Sequence, residues 1–85
     1  MPHTYESVLQ QIVEYLRSKI KEASRIDENA DFTRDLAVDS LLVFAIVEEL
    51  EETYKIVIPL ELFYKHKIRT VADLAKEVLR LLDKT

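Results

Sequence analysis

No glycine occurs among the 85 residues, where average usage would supply about six. A Gly-rich phosphate loop and a dinucleotide fingerprint are thereby excluded, because each needs a backbone approach that a Cβ blocks. Cysteine is absent too, which removes disulfides, thiolate metal sites and a nucleophilic thiol of the chain's own. Proline occurs twice and alternating β-branched runs are few, so helix is favoured over sheet. Basic charge is in the minority: 12 Lys and Arg stand against 16 Asp and Glu, a net charge of -4. A nucleic-acid partner needs a basic face to release phosphate counterions, so none is expected. No apolar run approaches the roughly 20 residues of a membrane span. The opening Met1-Pro2-His3-Thr4-Tyr5-Glu6 has neither a basic stretch nor an apolar core segment. No secretory signal is expected, and the location read from this is cytoplasmic.

Apolar residues make up 48% and charged residues 33%, the balance of a globular chain rather than a disordered one. The length allows one core, so residues 1–85 are expected to form a single domain. Three helical patterns organise it. The first runs from about Thr4 to Glu22, with Val8, Leu9, Ile12, Val13, Leu16 and Ile20 on one face. Thr4 and Ser7 give a weak start signal. A long loop from about Ala23 to Val38 follows, with Ile26, Phe32 and Leu36 as apolar pins; loops of this length are usually functional or packed down by their own residues.

The second helix is expected from Ser40 to about Lys55, with Asp39 as its N-cap. Val57-Ile58-Pro59 breaks it, because Pro59 forces Ile58 into an extended conformation. A short helical turn fits Leu60–Tyr64. The last helix opens on Thr70-Val71-Ala72-Asp73, which reads as a capping box. Its buried face is marked by Val71, Leu74, Ala75, Val78, Leu81 and Leu82. The predicted fold is all-α: a small bundle of three long helices plus one short helix, with a long loop between the first and second.

The second helix carries more apolar surface than a core requires. Val43, Ile46, Val47, Leu50 and Tyr54 fall in one stripe about 100° wide, which suffices for packing. Leu41, Phe44 and Ala45 lie off it and share a sector with Glu48, Glu51 and Glu52. An apolar patch rimmed by charge is a common form of protein-binding surface. The alternative is that Phe44 packs under the long loop against Phe32 or Leu36. Charge is sorted as well. Residues 35–64 hold seven acidic side chains and one basic, a balance of -6, whereas residues 65–85 come to +3. Such a field steers basic partners to the second helix.

Asp39-Ser40-Leu41 taken alone reads as a helix cap. A catalytic Ser40 needs a base, and the two histidines, His3 near the N-terminus and His66 in a basic loop, are better surface residues than bases or ligands. Glu48, Glu49, Glu51 and Glu52 have neither calcium-loop spacing nor a partner His, so no metal site and no catalytic residue are expected.

In context the tripeptide reads differently. Asp35-Leu36-Ala37-Val38-Asp39-Ser40-Leu41-Leu42 heads the second helix, and the Glu-rich stretch Val47 to Tyr54 follows. Then come Ile56-Val57-Ile58-Pro59 and Thr70-Val71-Ala72-Asp73-Leu74. In this order, over nearly the whole chain, the sequence resembles the phosphopantetheine-dependent acyl carrier protein family. The resemblance implies a non-enzymatic carrier in which Ser40 receives 4′-phosphopantetheine from coenzyme A through a phosphodiester. It implies that Asp39 is read by the phosphopantetheinyl transferase that installs the arm. It implies that Leu41, Phe44, Ala45, Glu48, Glu51 and Glu52 dock loading and acyl-transfer enzymes through basic patches. Ile58 and the apolar residues of the last two helices match those that surround an acyl chain in carriers able to sequester it.

The chain departs from the common pattern at several positions. Ala37 and Lys55 stand where glycine is usual, and Leu42 and Ala45 where an acidic residue is frequent. Pro59-Leu60-Glu61-Leu62-Phe63 is similar to aminoacyl and peptidyl carrier domains. These features suit a specialised, stand-alone, monomeric carrier of fatty-acid, polyketide or related biosynthesis. Two alternatives stay open: an aminoacyl or peptidyl carrier loaded by an adenylating ligase, and a helical interaction adaptor with no prosthetic group.

Overall fold

The computed structural model describes residues 3–20 and 26–84. Four helices follow one another: α1 (Tyr5–Lys19), α2 (Ser40–Tyr54), α3 (Glu61–Tyr64) and α4 (Val71–Asp83). Among the described residues there is no strand, only one isolated antiparallel bridge between Asp31 and Thr70. This is the all-α bundle, with its long first loop, that the helical periodicity predicts.

α1 begins with a reciprocal capping box. Ser7 N–H donates to Thr4 Oγ1 at 3.1 Å, and Thr4 N–H donates to Ser7 Oγ at 3.1 Å. The weak Thr4 signal is thus a full cap, because Ser7 can serve in place of the usual Glu or Gln. Val8, Ile12 and Leu16 are fully buried, while Leu9, Val13 and Ile20 pack at the edge of the core. The helix ends at Lys19, earlier than the pattern predicts. Ile20 turns extended (φ -110, ψ 94) and keeps its side chain against the core. Lys21 and Glu22, like the loop positions Ala23, Ser24 and Arg25, lie outside the described residues.

α1 packs against α4 and α2. The shared core takes Ile46, Val47 and Leu50 from α2 and Val71, Leu74, Ala75 and Val78 from α4. Fully burying one aliphatic side chain contributes about 1.5–3 kcal/mol. Val43 and Tyr54, the ends of the predicted stripe, are half-buried against this core, as are Leu81 and Leu82.

The long loop is packed down by Ile26, Phe32 and Leu36, as its composition implies, and also by Ala30. Its fold turns on Asp31, a buried carboxylate. Asp31 Oδ1 accepts Thr33 and Arg34 N–H at 2.9 and 2.8 Å. Its carbonyl accepts Asp35 and Leu36 N–H, and its own N–H donates to Asp35 Oδ2 at 2.8 Å. These bonds replace the water that the buried charge has lost. The Arg34 N–H bond, with that of Thr33, holds the Asp31 carboxyl below the usual carboxylate range against the effect of burial. Phe32 N–H then donates to Arg69 O at 2.8 Å, tying the loop to the residues before α4.

Beyond α2, Ile56 and Ile58 are buried and Val57 is exposed, the two-residue alternation expected of extended backbone ahead of Pro59. α3 spans Glu61–Tyr64, one residue shorter than the predicted turn, with Leu60 as its N-cap residue.

Candidate functional site

Ser40 is the first residue of α2 and is exposed, and so is Asp39 before it. Asp39 is extended, and its Oδ1 accepts Leu42 N–H at 2.9 Å, which makes it the N-cap that its residue type predicts. The approach to this point is tied to the loop. Val38 N–H donates to Phe32 O at 2.8 Å, and Ala37 adopts a left-handed conformation (φ 52) to swing the chain onto the helix axis. A Cβ makes that conformation unfavourable.

An open groove of about 380 Å³ lies beside Ser40, between the loop and α3. Phe32 and Ile68 are its buried apolar lining, with Val38, Val43 and Phe63 half-buried around them. The Phe32 and Phe63 rings meet at 5.9 Å. Arg34, His66 and Arg69 line the groove with exposed side chains.

Along α2, Leu41 is 75% exposed and Phe44 is 44% exposed. Phe44 is thus not packed away under the loop against Phe32 or Leu36. Ala45 is half-buried, and Glu48 and Glu52 are exposed. Glu51 differs from its neighbours. It is half-buried, and its Oε2 accepts Ile58 N–H at 2.7 Å, so it braces the segment after α2 as well as facing outward. The spacing of the glutamates gives no hint of this bond, which spans seven residues.

The groove also contains residues that the sequence pattern does not single out. Tyr64 is 61% exposed and shares the lining with Ser40, as do His66 and Arg69. The only available signal was the run of basic residues after α3, and nothing local shows that this run folds back beside Ser40. His66 makes no side-chain hydrogen bond to Ser40, and His3 rests edge-on against Tyr54 at 5.0 Å. Among the described residues no cluster of three or more His, Cys, Asp or Glu is placed to hold a metal ion, and no helix is long and apolar enough to cross a membrane.

Comparison with known proteins adds to this geometry. The family described as "Phosphopantetheine attachment site" matches residues 10–78. The protein is 42% identical over 59 residues to an "Acyl carrier protein" of Brachyspira hyodysenteriae (strain ATCC 49526 / WA1), an alignment covering 69% of this chain and 73% of that one. A second "Acyl carrier protein" of Brachyspira hyodysenteriae matches to the same extent. Members of this family are carriers rather than enzymes, and their prosthetic group is a covalently attached 4′-phosphopantetheine. The exposed serine, its cap and the four-helix arrangement agree with the match across most of the chain: it belongs to the phosphopantetheine-dependent acyl carrier protein family.

Proposed function

We propose that Ser40 bears the 4′-phosphopantetheine arm and that the protein, acting as one carrier domain over residues 1–85, delivers acyl groups to enzymes of fatty-acid, polyketide or related biosynthesis. The observation that carries this reading is the exposure of Ser40 at the open head of a 15-residue helix. Attachment forms an Oγ–phosphorus bond, displaces the rest of coenzyme A and removes the hydroxyl proton. A hydroxyl that reacts this way must be reachable by a second protein, and Ser40 is. The positive end of the α2 dipole favours the phosphodiester that results. The chain has no cysteine, so the arm supplies the thiol on which a thioester is held.

Asp39 opposes that phosphate by charge, but its carboxylate is engaged with Leu42 N–H. Its roles are to cap the helix and to be read by the transferase. Leu41 and Phe44 form the apolar centre of the docking surface, with Ala45 beside them and Glu48, Glu51 and Glu52 along the rim. Partners with basic patches are steered to this acidic helix and released quickly, as suits a monomeric carrier that visits several enzymes in the cytoplasm. Docking weakens as ionic strength rises, because the exposed glutamates are screened.

The test is mass spectrometry after incubation with coenzyme A and a broad-specificity phosphopantetheinyl transferase. One arm per chain is expected, and none on Ser40→Ala. A chain that stays unmodified, or an adduct that persists in Ser40→Ala, overturns the assignment and favours an adaptor without a prosthetic group.

A further inference from the structure

The groove beside Ser40 differs in character from the acidic face of α2. Its charged side chains balance: Asp31 and Asp39 line it as carboxylates, Arg34 and Arg69 as guanidiniums. Each of the four has a partner within the chain. Asp31 Oδ1 accepts the Thr33 and Arg34 N–H groups, and Asp39 Oδ1 accepts that of Leu42. Arg34 donates to Asp35 at 3.2 and 3.1 Å, and Arg69 Nη2 stands 3.8 Å from Asp31 Oδ2. These pairs leave no surplus charge of either sign for a ligand.

The floor is apolar. Phe32 and Ile68 are buried there, with Val38, Val43 and Phe63 half-buried around them. Hydroxyls stand at the rim: those of Thr33, Ser40 and Tyr64 belong to exposed residues, and no hydrogen bond engages them among the described residues. A hydroxyl both donates and accepts, so Thr33 and Tyr64 can meet either the N–H or the C=O of an amide. An apolar floor, a rim of such groups and balanced charge suit a neutral, amphipathic ligand. The pantetheine portion of the arm has that composition: amides, a hydroxyl, short aliphatic links and a branched dimethyl carbon near its phosphate end. Ser40 itself lines the groove, so an arm attached there starts at its edge. Tethering raises the local concentration of such a ligand to roughly the millimolar range, where weak contacts suffice to seat it.

We propose that this groove is the resting site of the arm itself, with Thr33 and Tyr64 as hydrogen-bond partners of its amides and Phe32, Val43, Phe63 and Ile68 as the seat of its dimethyl carbon. The inference rests on attachment at Ser40. It gives the 61% exposed Tyr64 ring a position at the rim that packing does not require. It also fits the layout of α2. Val43 lines the groove, whereas Leu41 and Phe44 do not; at 3.6 residues per turn, Val43 and Leu41 lie about 160° apart around the helix. A seated arm therefore leaves the docking face uncovered, and a partner can read that face before the arm leaves the groove.

The experiment is NMR on the isotope-labelled chain in three states: unmodified, carrying the free arm, and loaded from octanoyl-coenzyme A by a promiscuous transferase. Mass spectrometry of each sample first establishes whether the adduct is present. The readouts are the shifts of the arm's geminal methyl resonances relative to coenzyme A free in solution, and the NOEs from those methyls to the chain. With the free arm in place, the Phe32 and Phe63 rings should displace the methyl shifts, and NOEs to Val43 and Ile68 should appear. Thr33→Val and Tyr64→Phe each remove one exposed hydroxyl while the adduct still forms. Each should lower the ratio of seated to free arm about two- to tenfold, the net worth of one hydrogen bond, and move the methyl shifts back toward those of coenzyme A. Free-arm adducts whose methyls keep the shifts of coenzyme A and show no NOE to the groove overturn the proposal and leave the Ser40 assignment standing. NOEs that appear only in the octanoyl sample overturn it as well, because they give the groove to the cargo rather than to the arm. Methyl shifts unchanged by both substitutions overturn the part assigned to the hydroxyls. Absence of any adduct removes the resting site and the Ser40 assignment together.

Discussion

α2 and α4 open with the same kind of cap and then treat their first turns in opposite ways. At α4, Asp73 N–H donates to Thr70 Oγ1, and the long loop supplies two more acceptors: Ala30 O takes Val71 N–H at 3.0 Å and Glu28 O takes Ala72 N–H at 2.8 Å. The first-turn donors are consumed inside the fold. At α2, Asp39 satisfies Leu42 N–H and the loop carbonyls are directed elsewhere, so the helix head with Ser40 stays open to solvent. Their apolar residues divide similarly. Val71, Leu74, Ala75 and Val78 are wholly buried, whereas Leu41 and Phe44 are exposed. One helix is built for packing; the other leaves apolar area and a hydroxyl for a partner.

The sharpest way to break this comparison is one substitution made in both helices. Leu74→Ala removes a fully buried side chain and should cost about 2–5 kcal/mol, a large share of the roughly 5–15 kcal/mol that holds a typical domain. Leu41→Ala should change stability by no more than about 0.5 kcal/mol, and should instead weaken docking. Urea denaturation of the two variants reads the difference directly. Equal losses would show that Leu41 belongs to the core and that α2 has no surplus face.

Acid should attack the α4 side of the molecule first. Asp31 and Asp35 are held low, chiefly by the Arg34 N–H and the Arg34 side chain respectively. At Asp73, burial pushes the carboxyl up, but bonds from Arg69 and Thr70 together outweigh it and the net shift is downward. A carboxyl whose pKa is lower folded than unfolded stabilises the fold fully above its unfolded value, near 4 for Asp, and loses that contribution as pH falls through the folded value. The melting temperature should be flat from pH 7 to about 5 and should drop below about pH 4. Asp73→Asn should shallow that drop, and a profile unchanged by it would remove Asp73 from the account.

How much of this was legible in the sequence depends on the range of the contacts. The 3.6-residue period locates all three long helices, and the Thr70–Asp73 box and the Asp39 cap lie within four residues of their donors. The pins Ile26, Phe32 and Leu36 are readable because a long polar loop has few other ways to pack. Three features were not legible: the Asp31 turn with its link from Phe32 to Arg69, the Glu51–Ile58 brace, and the closing of the 64–69 segment over the groove beside Ser40. The Phe32–Arg69 link and the groove depend on segments distant in the chain meeting, the brace crosses the break after α2, and residue type alone does not specify which acceptor a buried N–H will find. The position of Ser40 at the head of α2 was readable from the Asp39 cap; its groove was not.

A smaller effect separates the cap's two duties. Asp39→Ala should cost about 1 kcal/mol, the usual worth of an N-cap side chain. Asp39→Asn keeps an acceptor for Leu42 N–H and should leave stability nearly unchanged, yet slow modification of Ser40 if the transferase reads the charge. Stability by denaturation and the initial rate of arm transfer, measured on both variants, distinguish capping from recognition. Equal rates for wild type and Asp39→Asn would confine Asp39 to capping.

The smallest effects concern the absence of glycine. Ala37, Lys55 and His66 all have positive φ, at 52, 58 and 60. Lys55 terminates α2, where the left-handed C-terminal position is commonly glycine. A residue with a Cβ loses roughly 1–2 kcal/mol in this conformation, and glycine recovers it less about 0.4–1 kcal/mol for its freer unfolded chain. Ala37→Gly and Lys55→Gly should therefore each gain about 0.5–1 kcal/mol, with arm transfer to Ser40 intact because neither side chain lines the groove. His66→Gly should gain a similar amount, although His66, unlike the other two, lines the groove beside Ser40. Urea denaturation reads all three gains, and glycine variants no more stable than wild type would show that these left-handed positions hold no strain that a Cβ imposes.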